Sequence, residues 1–346
     1  MKRIWAAVAA MLLVAGADAP APIPVYEGGR VVRDADGALR SGWPGVYFEG
    51  RFTGRAVDVG VETKREQVRV LVDGVEKARL GEGFSGRKRI GGLRPGAHLV
   101  RLERLTESQP GDFRFLGFWP VDGKALPITA RVRQIEIIGD SHSVGYADTS
   151  TVRDCDSAKV HATTDTQQAY GPLLARRFDA DYRVIAWSGY GIVRNYDGKA
   201  PGESLPFLYP RIIPGETAEL RVRDAWHPQL IVIYLGTNDF STPVKPGEAW
   251  ADEAALRRAW HQRYVGFVRE IAANQPQAQF VLVGGPSFAT DVQSVAAELA
   301  TSHIKVTTMR TPEMALDSCH WHPSLKDQRA LADTLDKTVS GMRILW

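Results

Sequence analysis

The chain has 346 residues, enough for two domains. Hydrophobic residues make up 44 % and charged residues 24 %, which excludes a disordered chain. The formal net charge is +3 and no long basic run is present, so nothing points to nucleic-acid binding.

The first segment reads MKRIWAAVAAMLLVAGADAPAP. Lys2 and Arg3 precede an apolar stretch, Ile4 to Val14, and small residues follow, which is the layout of a secretory signal peptide. Ala15-Gly16-Ala17 and Ala17-Asp18-Ala19 both fit a cleavage site. Cleavage after Ala17 is preferred, because the other cut would put Pro20 directly after it. The apolar core is short for a bilayer span. The expected location is secreted or periplasmic, with residues 1–17 removed and no membrane attachment afterwards.

Residues 18–128 read as an all-β domain. "QVRVLVDGVEKARL" puts Val68, Val70 and Val72 on one face and turns at Asp73-Gly74, a strong hairpin signal. "GVYFEGRFTG", "RAVDVGVET", "AHLVRLERLT" and "DFRFLGFW" are equally short and separated by Gly, Pro or polar turns. That spacing predicts a β-sandwich or jelly roll.

Residues 129–346 alternate strands with helices, which predicts a parallel sheet covered on both faces. "IEIIG" (135–139), "YRVIAW" (182–187), "LIVIYLG" (230–236) and "QFVLVGG" (279–285) read as buried strands. "TDTQQAYGPLLARRF" reads as a helix capped by Asp165 or Thr166. Asp252 to Ala273 places Leu256, Trp260, Phe267 and Ile271 on one helical face. Ser324 to Val339 closes the chain as a helix with Ser324 as its cap.

Three of these strands run into Gly plus polar residues: Gly139-Asp140-Ser141, Ser188-Gly189-Tyr190-Gly191 and Gly236-Thr237-Asn238-Asp239. In parallel α/β sheets ligands bind beyond the carboxyl ends of the strands, so the fold should gather these turns at one edge. A fourth piece, "LDSCHWHPS", lies near the C-terminus. Together they are a kit for acyl transfer. Ser141 supplies a hydroxyl nucleophile that needs a base, and His322 or His320 can be that base. Glycine-turn N–H groups and the Asn238 amide can stabilise an oxyanion. The second glycine of a G-x-S-x-G nucleophile elbow is absent, which argues against an ordinary α/β-hydrolase. No metal-ligand spacing and no phosphate loop is present, so the reading is metal-free and cofactor-free.

"IGDS", "SGYG", "GTND" and "HP" in this order resemble the SGNH (GDSL-type) serine hydrolases, a flavodoxin-like family. The preceding β-sandwich, "AWSGYGIVRNY" and "CHWHPS" more narrowly resemble carbohydrate esterase family 2, which removes O-acetyl groups from xylan, glucomannan and related plant polysaccharides. The resemblance implies Ser141 as nucleophile, His322 as base, and the Ser141 and Gly189 N–H groups with the Asn238 side chain as oxyanion hole. Gly191 remains a fallback for Gly189, and Trp321 matches an aromatic beside the sugar or acyl group. The implied partner is an acetylated polysaccharide or oligosaccharide. A lipolytic or thioester hydrolase, an acyltransferase, and a non-catalytic carbohydrate-binding protein remain the alternatives.

The chain departs from the family at the third triad member. The usual Asp three residues before the base is Cys319 here, and the position two before is His320. One reading is a Ser141–His322 dyad with the imidazole held by a main-chain carbonyl. The other is a shifted register, with Asp317 as the acid and His320 as the base. The two cysteines, Cys155 and Cys319, are expected to form a disulfide between the loop after the nucleophile and the loop bearing the base.

Overall fold

The computed structural model describes residues 21–108, 110, 112–216 and 226–346. The segment expected to be a signal peptide, 1–17, lies outside the described residues. No helix among the described residues is long and apolar enough to cross a membrane.

The N-terminal part is built from antiparallel strands: β1 (Val25–Gly28), β2 (Val32–Arg33), β3 (Leu39–Ser41), β4 (Tyr47–Thr53), β5 (Val57–Glu62), β6 (Val68–Val72), β7 (Val75–Leu80), β8 (Ser85–Ile90), β9 (Ala97–Arg104), β10 (Phe113–Pro120) and β11 (Ala125–Leu126). One sheet runs β1-β4-β9-β6-β7, with β11 on β4, and the other runs β2-β3-β10-β5-β8. The β6–β7 hairpin turns through Asp73 and Gly74, both at positive φ, as the Asp-Gly signal requires. The inward faces of both sheets make one apolar core that includes Phe48, Val59, Val70, Leu102, Phe115 and Phe118.

The outward face of the first sheet is not a solvent face. Period-two alternation puts Tyr47 and Glu49 (β4), Arg69 (β6), and Arg101 and Glu103 (β9) opposite the core. Four of them bond to the second part of the chain, and Glu103 holds the two arginines that do so. Arg69 bridges Glu103 (2.6 Å) and Asp165 (2.9 Å). Arg101 lies 3.6 Å from the Tyr47 ring centroid and donates to Glu49 and to the Tyr182 hydroxyl. Tyr47 donates to Asp181. Buried ions of this kind add little net stability, but misalignment is costly, so they fix register.

The second part is a five-stranded parallel sheet. Its strands are β12 (Gln134–Gly139), β13 (Asp181–Ala186), β14 (Leu230–Tyr234), β15 (Gln279–Gly284) and β16 (Val306–Arg310), ordered β13-β12-β14-β15-β16. The connections are α1 (Ser141–Val144), α2 (Ser157–Thr163), α3 (Tyr170–Arg177), α4 (Leu205–Leu208), α5 (Thr237–Phe240), α6 (Glu253–Asn274), α7 (Ala289–Ala300) and α8 (Leu325–Ser340). This order is flavodoxin-like: the chain leaves β12 to one side for β13 and returns to the other for β14. The crevice at that switch point lies outside the carboxyl ends of β12, β13 and β14.

Helix signals resolve as their chemistry dictates. Asp252 caps α6, and Ser324 with Asp327 forms a capping box on α8. The stretch from Thr164 to Phe178 differs from the single helix its pattern predicts. Asp165 caps a 3₁₀ turn at Thr166–Gln168, and α3 restarts at Tyr170. Pro172 has no N–H to donate one turn back, so it is tolerated only in the first turn of a helix, which is where the restart puts it.

That break frees Gln167 to pin the two parts together. Its amide donates to the carbonyls of Gly45 and Arg104 and accepts from the Tyr182 hydroxyl. Gln167→Ala would leave these buried groups unpaired and should cost about 3 kcal/mol. Urea denaturation checks this, and a loss under about 1 kcal/mol would contradict it.

Candidate active site

The β12 strand ends at Gly139, where the chain turns so tightly that a Cβ would collide with the Ser143 hydroxyl. Asp140 caps the single-turn helix α1 by accepting from the His142 N–H at 3.0 Å. Ser141 is therefore the first residue of a helix at the switch point. Its Oγ lies 2.9 Å from His322 Nε2. The contact joins residues 181 apart in sequence.

The other imidazole nitrogen settles the tautomer. His322 Nδ1 lies 3.0 Å from the Cys319 carbonyl and 3.1 Å from the His320 carbonyl. Carbonyls only accept, so Nδ1 carries the proton and Nε2 is left as an acceptor facing Ser141. Burial pushes the His322 pKa down to about 4; the two carbonyls oppose this, and His320 adds to it. The Tyr146 ring packs against His322 at a tilt of 32°, with centroids 4.3 Å apart.

The shifted register does not assemble. Asp317 pairs with Arg153 at 2.8 Å and makes no hydrogen bond to either histidine. Both His320 nitrogens are engaged, Nδ1 accepting from the Tyr146 hydroxyl (3.1 Å) and Nε2 donating to the Cys155 carbonyl (2.8 Å). His320 thus fastens the loop rather than facing Ser141. That loop is backbone-strained, since Leu316, His320 and Trp321 all have positive φ. It is held by the Cys155–Cys319 disulfide, by Ser318 Oγ donating to the Ser150 carbonyl, and by Asp327 accepting from the N–H groups of Ala315 and Leu316. Trp321 stands 64 % exposed beside His322, available to a ligand.

The turn after β13 offers the donors. Gly189 has φ 87°, a conformation that favours glycine, and among the described residues its N–H donates to no acceptor. The Ser141 N–H is likewise unspent. Gly191 is glycine for another reason. Its N–H donates to Asn195 Oδ1, and a Cβ would strike the Arg194 carbonyl and the Asp239 carboxylate. Asp239 holds this loop by accepting from the N–H groups of Ile192, Val193 and Arg194.

Asn238, on α5, donates through Nδ2 to Asp140 Oδ2 (3.1 Å) and to the Tyr190 carbonyl (3.0 Å). Its amide thus ties the ends of β12, β13 and β14 together. Burial raises the Asp140 pKa to about 7, against the His142 N–H, with the charge of Asp239 adding to the rise. His142 is buried with its Nδ1 on the Tyr234 hydroxyl (3.2 Å). Burial lowers its pKa to about 3, with His322 adding. No group of three or more His, Cys, Asp or Glu side chains among the described residues is placed to hold a metal. Tyr146 carries no motif; Asp140, Asn238 and Asp239 belong to the GDS and GTND blocks, but the bonds they make are set by the fold.

Comparison with known proteins agrees with this architecture. Residues 27–128 match the carbohydrate esterase 2 N-terminal family, and residues 137–315 match the GDSL-like lipase/acylhydrolase family. An acetylxylan esterase/glucomannan deacetylase of Cellvibrio japonicus is 38 % identical over 340 residues, covering 95 % of this chain and 94 % of its own. A solved carbohydrate esterase, described as displaying divergent catalytic and non-catalytic binding functions at its active site, is 37 % identical with a TM-score of 0.86, covering 93 % of this chain and 99 % of that one. A family two carbohydrate esterase from Clostridium thermocellum, in complex with cellohexaose, is 27 % identical with a TM-score of 0.81, covering 92 % and 98 %. The chain belongs to carbohydrate esterase family 2 and is an esterase of the GDSL type.

Proposed function

We propose that this esterase is exported after removal of residues 1–17 and takes O-acetyl groups off plant polysaccharides of the xylan or glucomannan type, using a Ser141–His322 dyad. The observation that carries the chemistry is the 2.9 Å contact between Ser141 Oγ and a neutral His322 Nε2. The activity for which the Cellvibrio japonicus relative is named supports the substrate class.

In the first half-reaction Ser141 Oγ attacks the acetyl carbonyl carbon as His322 Nε2 takes the hydroxyl proton. The developing oxyanion draws on the N–H groups of Ser141 and Gly189. Asn238 Nδ2 is the third donor. Both its protons have acceptors in the resting site, so it serves the oxyanion by sharing the one now on Asp140 Oδ2. Collapse breaks the bond to the sugar oxygen, which leaves with the proton held on His322. Water then attacks the acetyl-serine as His322 takes a proton from it, and collapse breaks the Ser141 Oγ–acyl bond, the proton returning to Oγ as acetate leaves. The imidazolium that forms in each half is stabilised by the two carbonyl dipoles at Nδ1 instead of by a carboxylate.

Two measurements test this reading. The purified protein should release acetate from acetylated xylan and cleave 4-nitrophenyl acetate faster than the octanoate, since the exposed indole of Trp321 beside the base crowds a long acyl chain. Ser141→Ala should abolish both activities, and activity within about tenfold of the parent would remove Ser141 as nucleophile. The second measurement is pH dependence. Below about pH 4 His322 is protonated and cannot accept from Ser141, so kcat/KM should rise through that region and stay level above it. An acid limb at the ordinary histidine value near 6.5 would contradict a desolvated base.

A further inference from the structure

The turn that carries Gly189 is held at several points. Trp187 N–H donates to the Gly139 carbonyl, Tyr190 N–H to the Trp187 carbonyl, and Tyr196 N–H to the Gly189 carbonyl. Asn238 donates to the Tyr190 carbonyl. All of these partners belong to the parallel-sheet part of the chain. One further bond comes from the sandwich. Ser188 N–H donates to Glu107 Oε2 at 3.2 Å, across 81 positions of sequence.

Glu107 follows β9, and the residues on either side of it, Thr106 and Ser108, are clamped. Arg104 is wholly buried, and burial lowers its pKa to about 10. Its guanidinium donates to the Thr106 carbonyl (3.1 Å) and the Ser108 carbonyl (2.7 Å), on either side of Glu107, and to the Ser41 carbonyl (2.8 Å). Two residues before Glu107, the Leu105 carbonyl accepts from both the N–H and the hydroxyl of Thr166. A side chain anchored this way reaches Ser188 from a fixed origin. It also lines a cavity of about 230 Å³ with His161, His320 and Tyr146, whose ring packs against His322. Its charge adds to the upward pKa shifts that burial gives Tyr146 and Tyr190.

We propose that Glu107 is a positioning residue for the oxyanion turn: by accepting from Ser188 N–H it fixes the Trp187–Ser188 peptide, the unit from which the Ser188–Gly189 peptide continues, so that the Gly189 N–H points at the reacting carbonyl. The inference rests on the reading of Ser141 and Gly189 as nucleophile and oxyanion donor. It assigns the sandwich a direct part in turnover, since the acceptor that completes the turn is supplied from its β9–β10 segment. A donor set before the reaction begins is worth most in the transition state and little in the ground state, so the effect belongs in kcat rather than KM.

The test compares two substitutions of similar volume. E107Q keeps an oxygen that accepts an N–H, and E107M does not. With 4-nitrophenyl acetate, E107M should lower kcat by about 10–100-fold with KM within about twofold, less than or comparable to losing a donor outright. Methylboronic acid forms a tetrahedral adduct on a serine hydroxyl and probes the same donors, so its inhibition constant should weaken by the same factor. E107Q should restore most of kcat and of boronate binding, and both proteins should melt at the parent temperature. Parent-like kcat in E107M overturns the proposal. So does a kcat loss shared equally by E107Q, or one that comes with loss of folded protein, because a structural role then suffices. Ser141→Ala, assayed alongside, separates the two failures: an active Ser141→Ala removes the nucleophile reading itself, whereas an inactive one beside a parent-like E107M removes only the role of Glu107.

Discussion

Among the described residues, no carboxylate bonds to His322 Nδ1. Two main-chain carbonyls, those of Cys319 and His320, hold the ring in its place. A carboxylate in this position would orient the ring and neutralise the imidazolium; carbonyls orient it and offer only dipoles. The contacts around the loop that carries His322 serve that orientation. A carbonyl can aim at the ring only if the backbone carrying it is fixed, and this backbone passes through left-handed φ values at His320 and Trp321. The Cys155–Cys319 disulfide, the two ring bonds of His320 and the packing of Tyr146 hold a conformation that the free chain would leave. In the chain-entropy model, closing a loop of 164 residues contributes about 5 kcal/mol, enough to offset strain of a few kcal/mol.

The sheet order supplies the rest. Because β12 lies between β13 and β14, the residues just beyond their ends converge, and the Asn238 amide bonded to Asp140 and Tyr190 records that convergence in a single side chain. The sandwich then packs its charged sheet face against β13 and the Asp165–Gln168 turn. The Arg69 and Arg101 networks and Gln167 set the register of this contact. Ion pairs suit the task because they discriminate strongly among alignments even where they add little net stability.

Much of this was legible in the chain. The four buried strands, the capped helix at Ser324 and the order of the Gly-polar turns follow from apolar runs and cap chemistry at short range. The two glycines of SGYG could not be told apart by sequence, because the difference lies in which N–H is already spent and that depends on Asn195 and Asp239. The choice between Asp317 and no acid was equally out of reach, since Arg153, which takes Asp317 away, sits 164 positions earlier. The alternation in β4, β6 and β9 reads as one core face and one wet face. Charged residues look the same whether they meet water or a second layer, so the interface was hidden. The edge strand β16 has only Met309 buried, and α7 follows a short Gly-Pro turn, so neither stood out. Glu107 and Tyr146 carry no motif and gain meaning only through contacts made by the fold.

The central claim is that a carbonyl-held His322 is the base. The most direct measurement is turnover of acetylated xylan by three single variants, His322→Ala, His320→Ala and Asp317→Asn, each first shown to be folded. The account predicts that His322→Ala loses nearly all activity, whereas Asp317→Asn matches the parent and His320→Ala stays within about tenfold of it. Survival of His322→Ala, with His320→Ala and Asp317→Asn inactive, would contradict it and restore an ordinary triad in the shifted register.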